Sequence, residues 1–155
     1  MGDDVLSVRH WLYALTGIQT ESLRVPKDFT RPMWFVEEPL RIPEPRRPDV
    51  YREKGTMSLT LLAENAEQLK QMAFLVRQDL ADKRWILPLY NSDRVQIGYM
   101  RECRLTFSKP DGFDQSIELK YLVDLPYTPV VYDPLEVIHT RFDPTLKKGG
   151  GRNGP

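Results

Sequence analysis

The stretch GTMSLTLLAENAEQLKQMAFLVRQDL, Gly55 to Leu80, limits what this chain can fold into more than any other part of it. Met57, Leu59, Leu61 and Ala63 alternate with Ser58, Thr60 and Glu64, the pattern of a strand with one buried face. Leu62 interrupts the polar side, so the second face is expected to be partly covered. Asn65 then offers a side-chain oxygen where a helix needs an N-cap, and Gln68 stands where a capping-box partner belongs. Beyond it Leu69, Met72, Ala73, Val76 and Leu80 form an apolar stripe, with Glu67, Lys70, Gln71, Arg77 and Gln78 mostly off it. A strand running into an amphipathic helix is expected. The junction carries no glycine-rich turn, no nucleophile and no metal-ligand spacing.

The flanking sequence extends this unit. Val5, Val8, Leu12 and Leu15 share one face of a first helix, with Trp11 beside them; Asp3 or Asp4 can cap its start and Gly17 can close it. QTESLRVPKDFTRP reads as a connection, and Met33 to Glu38 as a short strand. RWILPLY reads as another strand, ended by NSD. Tyr99, Arg101, Cys103, Leu105 and Phe107 alternate with Met100, Glu102, Arg104 and Thr106 on a further strand. KPDGFD has tight-turn chemistry, and Ile117, Leu119, Tyr121 and Val123 share one face of the returning strand. The expected fold is α+β: a mixed, mostly antiparallel sheet of four or five strands with two helices packed on it, over residues 1–125.

Proline marks the two remaining segments. Of 13 prolines, six lie between Pro26 and Pro48 and five from Pro126 onward. Four in ten residues, Pro39 to Pro48, exclude a helix and a central strand there, so residues 39–50 are expected to be an extended, projecting loop. Residues 126–155 are expected to be an extended C-terminal arm with one short strand at Leu135–Thr140 and a flexible, glycine-rich end.

Composition narrows function. The chain has 155 residues, 41% of them hydrophobic, which suits one packed domain. Its 22 basic and 22 acidic residues balance, unlike those of a general polyanion binder. No apolar run approaches the roughly 20 residues of a membrane span, and the N-terminus has acids where a signal peptide has bases. The single cysteine, Cys103, excludes an intramolecular disulfide and fits a reducing cytosol.

Chemistry-bearing residues are scattered. His10 and His139 have no neighbouring ligand, whereas a zinc site needs three or four. Cys103 lacks a visible activating base and reads as a buried structural thiol. The acid pairs Asp3–Asp4, Glu37–Glu38 and Asp79/Asp82 read as solvated surface charge. Phosphate-binding, hydrolase and metalloprotease motifs are absent from the sequence. No catalytic residue, cofactor or metal is therefore expected, and the chain reads as a non-enzyme.

Two features favour binding. The loop PEPRRP and its approach place Arg41, Pro43, Arg46 and Arg47 where they can meet a partner or a neighbouring copy. The arm carries Tyr127, Val131, Tyr132, Ile138 and Phe142, much apolar surface on a segment too proline-rich for a compact element. It either wraps its own domain or reaches onto a partner. A competing reading is a small nucleic-acid-binding or adaptor domain, with Arg41, Arg46, Arg47, Lys147, Lys148 and Arg152 as basic tips.

A capped first helix, a proline-bearing excursion, the Gly55–Leu80 unit and a β-hairpin, together covering Asp3 to Asp124, resemble the tail terminator proteins of long-tailed bacteriophages, also called tail completion or tail-to-head joining proteins. The resemblance rests on element order and length. It implies a structural virion protein that forms a homo-oligomeric, hexameric ring on the head-proximal end of the tail tube. It implies three neighbours: tail tube protein, a head–tail connector or stopper protein, and genomic DNA passing through the lumen without sequence-specific binding. Assembly would take place in the host cytoplasm, with no membrane partner. The long Arg/Pro loop at 39–50 and the C-terminal arm depart from the family pattern. They leave open another neck role, such as a head-completion (stopper) protein.

Overall fold

Asp3 starts the first helix, α1 (Asp4–Thr16), by accepting the Leu6 N–H at 2.9 Å, and Gly17 ends it at φ 71°, donating its N–H to Tyr13 O. The computed structural model describes residues 2–44 and 50–126. After α1 come β1 (Thr20–Glu21), β2 (Met33–Val36), β3 (Leu40–Pro43), β4 (Val50–Leu62), α2 (Ala66–Asp82), β5 (Leu87–Tyr90), β6 (Gln96–Phe107) and β7 (Asp114–Pro126). Arg46, Arg47, Tyr127, Val131, Tyr132, Ile138, Phe142, His139, the expected strand at Leu135–Thr140 and the glycine-rich end lie outside the described residues.

The strands form one seven-stranded sheet in the order β1-β2-β4-β7-β6-β5. β3 pairs with Glu53–Thr56 of β4, and β2 pairs with Leu59–Leu62 of the same strand. The β1–β2 pair is parallel and the remaining pairs are antiparallel. The expected α+β class, mixed sheet and two helices are all present; the strand count exceeds the four or five expected. The two extra strands are β1, too short to show a period, and β3, hidden in the proline-rich segment. β3 forms because it lies at an edge, where a proline's missing N–H breaks no second ladder. Residues 39–44 are thus not a projecting loop.

α2 follows the sequence closely. Asn65 Oδ1 accepts the Gln68 N–H at 2.8 Å. Gln68 Oε1 reaches back to the Glu64 N–H, one residue before the cap. Leu69, Ala73, Val76 and Leu80 are buried against the sheet. From α1, Val8, Trp11 and Leu12 join them over Trp34, Met57, Leu59, Leu61, Leu119 and Val123. The two helices are tied by Trp11 Nε1, which donates to Asp79 Oδ2 at 2.6 Å. The strand expected from Arg84 starts only at Leu87. Arg84 and Trp85 both take left-handed backbone (φ 56° and 63°) and donate to Ala81 O and Leu80 O, closing the helix.

β6 departs from simple alternation. Its register to β7 shifts between Arg101 and Arg104, and Glu102 sits at φ 49°. This bulge turns both Met100 and Cys103 into the core, although the sequence places them on opposite faces. Leu105 and Phe107 then pack at the core margin.

Candidate functional site

Gly55 lies at the centre of the most unusual cluster in the fold. Arg41 on β3, Gly55 on β4 and Tyr121 on β7 stand in one row across the sheet. Without a side chain at 55, Arg41 and Tyr121 converge over the strand on Asp4, at the start of α1. Arg41 grips Asp4 through Nε–Oδ2 at 2.9 Å and Nη2–Oδ1 at 2.6 Å, and its Nη1 also donates to Glu53. The Tyr121 hydroxyl donates to Asp4 Oδ2.

The cluster is largely desolvated; the Asp4 side chain is only 3% exposed. For Arg41, burial opposes the charge, but hydrogen bonds and charges from Asp4 and Glu53 outweigh it and raise the guanidinium pKa. For Tyr121, burial and then the Asp4 carboxylate push the phenol upward. The group is thus a fixed salt bridge, with Arg41 charged and Tyr121 protonated, that clamps β3 to α1. Asp4 was expected as solvated surface charge; it is buried because its carboxylate is the clamp's acceptor. Arg41, expected as a partner contact, is taken up inside its own chain, whereas Pro43 is exposed on the β3 edge. The one sequence signal for the clamp is Gly55 inside a strand, the mark of a close approach.

The sheet face opposite the helices is accessible. Leu40 and Ile42 are exposed there, and Arg52–Asp124, Lys54–Glu44 and Lys120–Glu118 form ion pairs. Ile42, Arg52, Lys54, Glu102, Arg104 and Leu122 line a shallow cleft of about 480 Å³. A second cleft, of about 790 Å³, opens at the edge of β6 between Trp85 and Leu105.

The remaining chemistry-bearing residues are accounted for locally. His10 is exposed and packs its ring edge-on to Tyr90 at 5.3 Å. Cys103 is buried, as expected, with Sγ donating to Met100 O at 3.3 Å; burial pushes its thiol pKa up to about 12. Among the described residues no group of three His, Cys, Asp or Glu side chains is placed to hold a metal. Among the same residues no helix is long and apolar enough to cross a membrane.

No protein-family model matches this chain, and no curated protein sequence matches it.

Proposed function

We propose that this chain is a structural virion protein, a tail terminator that closes the head-proximal end of a phage tail tube as a homo-oligomeric, hexameric ring. The observation that carries the reading is the pair of unlike surfaces on one rigid sheet. Helices cover one face, and the other exposes Leu40, Ile42 and rows of charged side chains. A closed ring needs a heterologous contact, in which one surface of a subunit meets a different surface of the next. The order of elements from Asp3 to Asp124 also supports it: helix, strands, strand into helix, then hairpin. In this reading the tube protein binds one rim and the head connector or stopper the other, while DNA passes through the lumen.

Light scattering across concentration, followed by negative-stain imaging and co-sedimentation with tail tubes, tests it. The expected result is a ring with a central hole, or a monomer that closes into one on the tube tip. A chain that stays monomeric at high concentration and ignores tube protein overturns the reading.

A further inference from the structure

Three elements are stapled together around one cavity on the flank of α1 turned away from the core. The Asp3 N–H donates to Tyr90 O at 2.8 Å, and the buried Ser7 Oγ accepts the Tyr90 N–H at 2.8 Å, so the end of β5 is fixed to the first turn of α1. On the other side Arg9 holds β1. Its Nε donates to Thr20 Oγ1 at 2.9 Å, its Nη2 to Thr20 O at 2.9 Å and its Nη1 to Ser22 Oγ at 3.2 Å. Beyond β5, Asn91 shapes the turn into β6. Its Oδ1 accepts the N–H groups of Asp93 and Val95 at 2.9 and 3.0 Å, and Arg94 takes left-handed backbone at φ 62°. The walls are therefore set before any ligand arrives.

The cavity has a volume of about 450 Å³. Arg9 and Arg94 line it, together with the rings of His10, Tyr13 and Tyr90. Among the described residues no carboxylate lines it; Glu21 and Asp93, each next in sequence to a lining residue, do not. The acceptors of Arg9 are all neutral oxygens, and its remaining guanidinium donors are unused. Among the described residues neither Arg9 nor Arg94 is ion-paired with an acid. Two like charges brought to one cavity repel each other and gain from an anion between them. The lining is also rich in donors, since Gln19 and both phenols add to the guanidiniums. A carboxylate offers two coplanar oxygens and suits one guanidinium. A phosphate monoester offers three oxygens in different directions and can meet both. The rings supply a flat wall, with His10 edge-on to Tyr90 and Tyr13 57% exposed.

We propose that this cavity binds a phosphate monoester with a flat ring body, its phosphate held by Arg9 and Arg94 and its ring against Tyr13 and His10. A phosphorylated tyrosine side chain and a free nucleotide share that chemistry. The inference does not rest on the tail-terminator reading.

Calorimetric titration of the full-length protein at constant ionic strength tests it, with phenyl phosphate, adenosine 5′-monophosphate, inorganic phosphate and benzoate as probes. At least one of the two monoesters is expected to bind about tenfold or more tightly than inorganic phosphate and benzoate. Tighter phenyl phosphate assigns the site to a phosphorylated tyrosine, tighter adenosine 5′-monophosphate to a nucleotide. Arg94→Gln should weaken the better monoester by about tenfold or more. Tyr13→Ala should weaken it too, while leaving inorganic phosphate unchanged. Arg9→Gln should have the same effect as Arg94→Gln, but it also removes the β1 staple. If it lowers the thermal midpoint, Arg94→Gln decides, because the Arg94 side chain makes no hydrogen bond or ion pair among the described residues. Failure of both monoesters to bind overturns the proposal. So does equal binding of benzoate or inorganic phosphate, and so does an affinity that Arg94→Gln and Tyr13→Ala leave unchanged.

Discussion

Gly55 and Tyr121 face each other across the β4–β7 ladder, and a β-carbon on Gly55 would stand 2.2 Å from Tyr121 Cζ. The phenol ring occupies the space a side chain would need, and that is how its hydroxyl gets to Asp4. Gly55→Ala must therefore displace a ring that is buried and bonded at its far end. The expected cost is about 2–3 kcal/mol, the range of overpacking in a tight core. Urea unfolding should show a lower midpoint at unchanged slope. In a Tyr121→Leu background the same alanine should cost much less. Equal costs in both backgrounds would show that the close approach is not what holds residue 55 to glycine.

The clamp itself should be strongly coupled. Arg41→Met leaves the Asp4 carboxylate buried with Tyr121 and without its cation, which should cost about 3–5 kcal/mol. Asp4→Asn in the same protein removes the stranded charge, so the double variant should be more stable than Arg41→Met alone. A double-mutant cycle from chemical denaturation checks this, and additive losses would mean that Arg41 and Asp4 do not act as a unit.

These two residues also mark where sequence reasoning stopped. The caps at Asp3, Asn65 and Gly17, the stripe from Leu69 to Leu80 and the inward face of β7 are local signals, set by spacing and by one or two side chains. They read correctly from the chain alone. Asp4 did not, because its burial depends on Arg41, 37 residues on, and Tyr121, 117 residues on. Nor did Met100 and Cys103, because the bulge at Glu102 is fixed by register to β7 and by Trp85 O rather than by local sequence. β3 was obscured for the opposite reason. Its prolines are a true local signal against a central strand, and they leave an edge strand allowed.

Acid should weaken the joint between the helices. Burial alone would raise the Asp79 pKa, but hydrogen bonds from Lys83 and Trp11 outweigh it, and the net shift is downward. A carboxyl with a depressed folded pKa stabilises the fold above its unfolded value, about 3.9, and that contribution fades as pH falls through the folded value. Thermal unfolding between pH 5 and pH 2 should therefore be less steeply acid-dependent in Asp79→Asn than in wild type. Superimposable slopes would show that Asp79 is not linked to folding.

Alkali acts on β6 in the other direction. Burial raises the Cys103 thiol from 9.0 to about 12, so the unfolded chain releases this proton first as pH rises. Its contribution to stability is complete below about 9 and fades between there and about 12. Cys103→Ala leaves a small cavity and should lower stability near neutrality by about 1 kcal/mol, while removing that part of the alkaline loss. The thiol itself should be inert in the native protein. A disulfide reagent such as dithionitrobenzoate should label it only as fast as β5 and β6 open, in step with global unfolding in urea. Rapid labelling in native buffer would mean that the Trp85–Cys103 contact opens on its own, and that the bulge is a mobile edge rather than part of the core.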